Sequence, residues 1–375
     1  GQKVDEYLST WRTRRESDHK ETIAFNGYQK DSYIVQAKVS RFGSGEAKAN
    51  ILETVRGVDL YLMVDVMNYS QTYSLFGQVN HMSPDDHYSD LKRVIAATTG
   101  KAKRINVIMP FMYESRQHKR TGRESLDCAM MLQELHAMGV ENFITFDAHD
   151  PRVMNAIPQD SFDNISCSYQ FIKAILAHVE DLDIDKNHMM IISPDEGGMS
   201  RAIYYANVLG IDMGMFYKRR DYSKVVNGRN PIVAHEFLGA DVEGKDVFII
   251  DDRISSGESL IDTAKELKER KARRVFACCT FGLFTSGFNK FDQAYANGTL
   301  NGVFTTNLIY QQPELLTKPW YISVDMAKYI ALIIDNLNHD MSISSILDSS
   351  QKINDKVAAY RTHREEMTQQ MELPL

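Results

Sequence analysis

The sequence predicts an α/β chain of two domains, each a mainly parallel sheet flanked by helices. Three observations carry that prediction. Short apolar runs alternate with amphipathic helical stretches, the pattern of βαβ units. Two such sets are separated near 155–166, where Pro158, Asp160, Ser161 and Asp163 cluster. The segment VFIIDDRISSGESLIDTAKEL (247–267) passes from four apolar residues through two carboxylates and a small-residue loop into a helical pattern.

Taken in order, strands are expected near 33–40, 58–64, 104–109 and 142–147, with helices near 86–99 and 124–138. The second set is helix 168–180, strand 189–193, helix 198–209, strands 212–217 and 246–251, helix 257–270 and strand 273–280. Residues 218–230 (KRRDYSKVVNGRN) are basic, lack apolar periodicity and read as a long mobile loop. Residues 324–337 form a strong amphipathic helix, and from Ser349 on the chain is polar, a peripheral helix or a frayed tail. The expected division is therefore 1–160, joined by the helix at 324–345, then 161–323, then a tail over 346–375.

With 375 residues the chain is long enough for two cores. Apolar residues make up 43% and charged residues 25%, as in a globular protein. A net charge of −7 argues against general nucleic-acid affinity. No apolar run approaches the ~18 residues of a membrane span, and no signal peptide is visible. Cys128, Cys167, Cys278 and Cys279 lack metal-ligand spacing and suggest neither zinc nor disulfides, so a reduced, cytoplasmic protein is expected. Gly1 in place of an initiator methionine suggests processing and carries no functional weight.

Six segments carry chemistry. In the first, 247–267, Ser255, Ser256, Gly257 and Ser259 precede a helix start, where free N–H groups receive an anion. Asp251 and Asp252, placed where the strand would end, suit ribose hydroxyls or hydrated Mg²⁺. An ordinary strand–turn–helix with a serine cap is the plain alternative. RFGSGEAKA (41–49) offers Phe42 on a glycine turn for purine stacking, or a simple hairpin. MPFMYESRQHKRTGRES (109–125) packs Arg116, His118, Lys119, Arg120 and Arg123 after a strand, the end at which open α/β sheets bind ligands. FITFDAHDPR (143–152) sets His149 between Asp147 and Asp150, a fair divalent-metal position. IISPDEGGMSRA (191–202) gives Asp195 and Glu196 at another strand end, for metal or ribose. Lys218, Arg219 and Arg220 open the basic loop and could close over a triphosphate.

Together these segments resemble the ribose-phosphate pyrophosphokinases, which make phosphoribosyl pyrophosphate (PRPP), over roughly residues 33–345. The most specific pieces are Arg116-Gln117, Ser193-Pro194-Asp195 with Gly197-Gly198, and Lys218-Arg219-Arg220. The resemblance implies two phosphoribosyltransferase-like domains. It also implies transfer of the β,γ-pyrophosphoryl group of Mg-ATP to the 1-hydroxyl of ribose 5-phosphate, releasing AMP. Phe42 would stack on adenine, with Gly45 in the turn and Glu46 helping, across a subunit boundary. Arg116, Gln117 and His118 would bind ATP, and His149 and Asp195 would hold Mg²⁺. Lys218, helped by Arg220, would be the catalytic cation. Asp251 and Asp252 would hold the ribose, and Ser255, Ser256, Gly257, Glu258 and Ser259 would cradle the 5-phosphate. Dimers assembling to a hexamer, with phosphate and ADP as effectors, complete what the family implies.

The chain departs from the family pattern in three places. Ser255 stands at a usual Asp, and Glu258 puts a carboxylate where a phosphate lies close, so its side chain must point away or weaken binding. Ser44 replaces an Asp near the adenine site, and Asp150-Pro151-Arg152 replaces an apolar, glutamine-rich stretch. Extra residues occur near 66–85 and at the C-terminus. Two other functions compete: a silent regulatory homologue, and a phosphoribosyltransferase that consumes PRPP.

Overall fold

The computed structural model describes residues 1–14, 28–98, 100–220 and 232–372. It divides into two compact units. The first comprises Gly1–Ser166, Asn307–Tyr310 and Asp325–Leu347, the second Cys167–Thr306, Gln311–Val324 and Asp348–Leu375.

The first unit opens with helix α1 (Gln2–Arg14) and the hairpin β1 (Ala37–Arg41) and β2 (Ala47–Ile51). Strand β3 (Asp59–Met63) follows, then a second hairpin, β4 (Thr72–Leu75) and β5 (Gln78–His81), within the extra stretch near 66–85. Helix α2 (Pro84–Ala97) starts where its sequence dictates: Ser83 and Asp86 form a reciprocal capping box, and Pro84 occupies the first turn. Then come β6 (Arg104–Ile108), α3 (Asp127–Ala137), β7 (Asn142–Phe146) and β8 (Ser161–Ile165). The main sheet is parallel throughout, in the order β3-β6-β7-β8. Its central strands read as continuous apolar runs because they are buried on both faces.

The second unit begins with α4 (Ser168–His178), β9 (Met189–Ser193), α5 (Met199–Leu209), β10 (Asp212–Arg220) and β11 (Ile232–Leu238). It continues through β12 (Asp246–Ile254), α6 (Glu258–Glu269), β13 (Arg274–Gly282), α7 (Asn289–Ala296), β14 (Gly302–Thr306) and β15 (Tyr321–Val324). These strands build one seven-stranded sheet, β11-β10-β9-β12-β13-β14-β15, parallel except for β11. From β9 the chain crosses to β10 on one side, and from β12 it crosses to β13 on the other. The strand order thus reverses direction between β9 and β12, and in open α/β sheets such a switch point, with crossovers of the usual right hand, is where a crevice forms at the carboxyl ends of the strands.

Two helices return to the first unit: α8 (Ala327–Asn338), which packs on α1, and α9 (Ser344–Leu347). The return is held by a polar cluster on β3. Asp59 accepts two bonds from Arg104, at 3.0 and 2.7 Å, one from Asn106 at 2.9 Å and one from Asn338 of α8 at 3.0 Å. The last helix, α10 (Ser350–Glu372), lies on α4 and α5, where Arg361 donates to the Ile184 carbonyl at 2.7 Å.

Both sheets have the expected mainly parallel, helix-flanked form. Two local expectations are corrected. The strand expected over 212–217 runs to Arg220 because β11 pairs with it antiparallel, Lys218 opposite His235, with a bulge at Arg219/Arg220. Residues 221–231, the rest of the basic loop, lie outside the described residues. The strand expected to end at the acidic pair runs on to Ile254, because β13 keeps pairing with it as far as Gly282. The four cysteines are buried and form no disulfide among the described residues. Among the described residues no helix is long and apolar enough to cross a membrane.

Burial alone would raise the pKa of Asp59, but the bonds from Arg104, Asn338 and Asn106 outweigh it and hold the carboxyl below its usual range. A depressed carboxylate contributes stability above its unfolded pKa and loses it as pH falls through the folded one. Asp59→Asn should therefore cost ~1–3 kcal/mol at pH 7, read by urea unfolding, and the gap to wild type should close below pH 4.

Candidate functional site

In the first unit the functional side chains collect where β6 and β7 end side by side. After β6, Met109 to Met112 are buried, and the chain turns through Glu114, whose φ is 52°. Gln117 is committed to its own loop: its amide donates to the Ser125 carbonyl at 2.7 Å. The loop so held carries Arg116, Lys119, Arg120 and Arg123, all exposed, and none has an ion-pair partner among the described residues. Four exposed cations on one short loop make a locally basic surface.

After β7, Asp147 takes a left-handed conformation (φ 39°) and the chain turns into a 3-10 segment, Pro151–Ala156. Asp150 caps that segment by accepting from Arg152 N at 3.0 Å, which explains the Asp-Pro-Arg departure as a helix-start signal. The bonds from the Arg152 side chain pull the Asp150 carboxyl down to about 2. His118 reaches across from the other loop, its Nε2 3.5 Å from Asp150 and its ring 5.2 Å from that of His149. His118 Nδ1 is buried and has no hydrogen-bond partner among the described residues. Thus His118 joins the adjacent pair His149 and Asp150, about 30 residues further along the chain, in one group.

Phe42, Gly45 and Glu46 lie elsewhere in this unit, on the β1–β2 tip. The plain hairpin reading of 41–49 is correct for the backbone: Phe42 N donates to the Glu46 carbonyl at 2.8 Å. Gly45 has φ 91°, and a Cβ there would meet Leu75 at 2.7 Å, so glycine is required where the second hairpin crosses. Ser44, which replaces an acid, donates to Glu46 at 2.9 Å. Phe42 is 57% exposed. Among the described residues neither Phe42 nor Glu46 makes a hydrogen bond, ion pair or ring contact with the Arg116–His149 group.

In the second unit the site forms at the β9/β12 crevice. Asp195 follows β9 and accepts from Gly197 N at 2.9 Å and Gly198 N at 3.3 Å, which fixes the carboxylate at the strand end. A Cβ on Gly198 would lie 2.9 Å from Ser193 Oγ and 3.4 Å from the Ile250 carbonyl, so the Gly-Gly pair lets the turn lie against β12. Pairing of β12 with β9 stops at Ile249 opposite Ile192. Asp251 and Asp252 therefore overhang β9 while β13 still holds their other side. Asp252 N donates to Asp251 Oδ1 at 2.8 Å. Burial, with Asp252 adding to it, pushes the Asp251 carboxyl well above the usual range, and Arg201 of α5 draws it partly back.

The loop after β12 is held from behind. Thr285 N donates to the Ser255 carbonyl at 3.0 Å and Leu283 N to the Ile254 carbonyl at 2.9 Å. Gly257 caps α6 in the left-handed region (φ 82°), and any Cβ there would fall 2.3 Å from the Phe291 ring. The cap is thus a glycine rather than the serine of the plain alternative. At the start of α6, Glu258 N donates to Ser256 Oγ at 3.5 Å, and a helix start of this kind is a position that attracts an anion. Glu258 is exposed, and its carboxylate pairs with Lys290 of α7. Lys218 and Arg220 are on β10, two strands from β12.

Among the described residues no three His, Cys, Asp or Glu side chains converge on a metal position. Arg201 and Lys290 were not singled out from sequence. Arg201 stands in the quoted IISPDEGGMSRA segment with nothing to mark it, and Lys290 lies 32 residues from Glu258 with no local pattern.

Two family profiles match the chain. The N-terminal domain of ribose phosphate pyrophosphokinase covers residues 14–139, and the phosphoribosyl transferase domain covers residues 158–311. A ribose-phosphate pyrophosphokinase of Vibrio parahaemolyticus is 29% identical over 316 residues, covering 83% of this chain and 91% of the relative. One from Staphylococcus epidermidis is 27% identical over 317 residues, covering 84% and 89%. Among solved structures, the phosphoribosylpyrophosphate synthetase of Mycobacterium smegmatis superposes with a TM-score of 0.68 at 22% identity, over 83% of this chain and 92% of that one, and shares the fold.

A carboxyl whose folded pKa is raised costs stability as pH climbs from its unfolded value to its folded one. Wild type should therefore lose stability between pH 5 and 8 by more than Asp251→Asn does, and the variant should be the more stable of the two at pH 8. Urea midpoints at both pH values measure this.

Proposed function

The chain belongs to the ribose-phosphate pyrophosphokinase family, and we propose that it transfers the β,γ-pyrophosphoryl group of Mg-ATP to the 1-hydroxyl of ribose 5-phosphate, giving PRPP and AMP. The observation that carries this reading is the tandem order of the two matched domains, each with functional side chains at its own parallel strand ends. A phosphoribosyltransferase that consumes PRPP would need only the second.

In this reading the loop cations Arg116, Lys119, Arg120 and Arg123 bind the triphosphate, with Gln117 holding the loop's shape and His118 beside it. Phe42 stacks on the adenine, with Gly45 and Glu46 shaping that tip. Asp251 and Asp252 take ribose hydroxyls, and the residues from Ser255 to Ser259 receive the 5-phosphate on their N–H groups and hydroxyls. The 1-hydroxyl oxygen bonds to Pβ, the Pα–O–Pβ bridge breaks, AMP leaves with the bridging oxygen, and the hydroxyl proton passes to solvent or a nearby base. Charge develops on the transferring group and the leaving AMP. Lys218, with Arg220, is placed in that role by family resemblance, and cations there act by electrostatic stabilisation.

His149 and Asp195 are the candidate magnesium residues. Magnesium is commonly held by one or two carboxylates, waters and substrate phosphates rather than a protein cage, so Asp195 of the second unit could hold one directly and His149 of the first unit could act through a bound water. Bound there, the ion would neutralise phosphate charge. The same proposal extends to dimers assembling into a hexamer, with the exposed Phe42 tip completing a neighbour's adenine site, and to phosphate and ADP as effectors.

Purified protein with ribose 5-phosphate and Mg-ATP should yield AMP and PRPP in equal amounts; neither product, with ATP still bound, would favour a silent regulatory homologue. Lys218→Ala should lower kcat by on the order of 10³-fold with nucleotide affinity nearly unchanged, read by turnover and by equilibrium binding.

A further inference from the structure

Glu258 is the first residue of α6 and directly follows Gly257. A carboxylate at that position is attracted by the helix N-terminus, the same field that would receive a phosphate. Left alone, it competes with the ligand for those N–H groups and repels its charge. In the structure its carboxylate is paired with Lys290 of α7.

The start of α7 is fixed by three consecutive side chains. Lys290 holds Glu258. Phe291 is fully buried against Gly257, stacked on Trp320 with ring centroids 5.2 Å apart. Asp292 accepts from Trp320 Nε1 at 2.7 Å and from Lys318 at 2.9 Å. The backbone contact at Gly257–Phe291 therefore sets the reach between the two next-door residues, Glu258 and Lys290. They line a groove of about 370 Å³ with a second ion pair, Asp262–Lys265 at 3.1 Å, so the charges facing it are matched.

We propose that Lys290 is a positioning residue that holds the Glu258 carboxylate away from the 5-phosphate cradle, so that a sequence carrying an acid in this loop still binds ribose 5-phosphate. This rests on the reading of 255–259 as the phosphate loop. An ion pair between two exposed side chains adds little to stability, so the effect of losing Lys290 falls on ligand binding.

The test is calorimetric titration of ribose 5-phosphate in the presence of Mg²⁺ and the unreactive α,β-methylene analogue of ATP, together with steady-state kinetics. Lys290→Met should weaken ribose 5-phosphate binding by about three- to twentyfold, raising its KM with kcat and the KM for ATP nearly unchanged. Lys290→Arg should behave as wild type, and Glu258→Gln in the Lys290→Met background should restore affinity. An unchanged Lys290→Met, or a loss that persists in the double variant, overturns the proposal; Lys290→Gln replaces the methionine variant if that one does not fold. Wild-type protein that binds no ribose 5-phosphate overturns the underlying phosphate-loop reading instead.

Discussion

The parallel pairing of β9 with β12 is the constraint on which the second unit depends. It places two strands side by side whose onward connections diverge, the one through α5 to β10 and the other through α6 to β13. Pairing that stops at Ile249 leaves Asp251 and Asp252 flanked by backbone on the β13 side alone. Gly198 is part of the same geometry, since only a residue without a Cβ fits between Ser193 Oγ and the Ile250 carbonyl. The raised pKa of Asp251 follows from it: a carboxyl on a core strand, beside another carboxyl, is poorly solvated until a ligand or cation reaches it.

The first unit uses a simpler arrangement, with the four strands of its main sheet all parallel and the candidate loops that follow β6 and β7 at the ends of neighbouring strands. There the departures from the family pattern are absorbed locally. Asp150-Pro151-Arg152 becomes a capped 3-10 start, and the carboxylate that caps it also faces His118. Ser44 replaces an acid yet still bonds to Glu46. The departure at Glu258, in the second unit, is met from a different element. Gly257, just before Glu258, lies on the Phe291 ring, and the residue beside that ring supplies the countercharge.

Legibility from sequence differed by element for physical reasons. Strands β6, β7, β9, β12 and β13 were expected within two or three residues at each end, because buried parallel strands must be apolar throughout. Strands β4, β8 and β11 were not, since their residues are polar or mixed and their pairing partners, not their composition, make them strands. The same holds for α7, eight residues long with Phe291 and Ala294 as its buried positions. Arg116, His149, Asp195 and Asp251 stand out in the sequence because each follows or ends an apolar run, although at Asp251 the strand itself runs on to Ile254.

By itself, the sequence determined the α/β class, the acidic and basic strand ends and the phosphate-type loop, because apolar runs, glycines and helix starts act over a few neighbouring residues. Tertiary structure alone decided that β12 continues past its carboxylates, that His118 meets His149 and Asp150, and that Lys290 meets Glu258. Each of those depends on a partner strand, loop or helix supplied from about 30 residues away, and no local pattern records a contact made at that range.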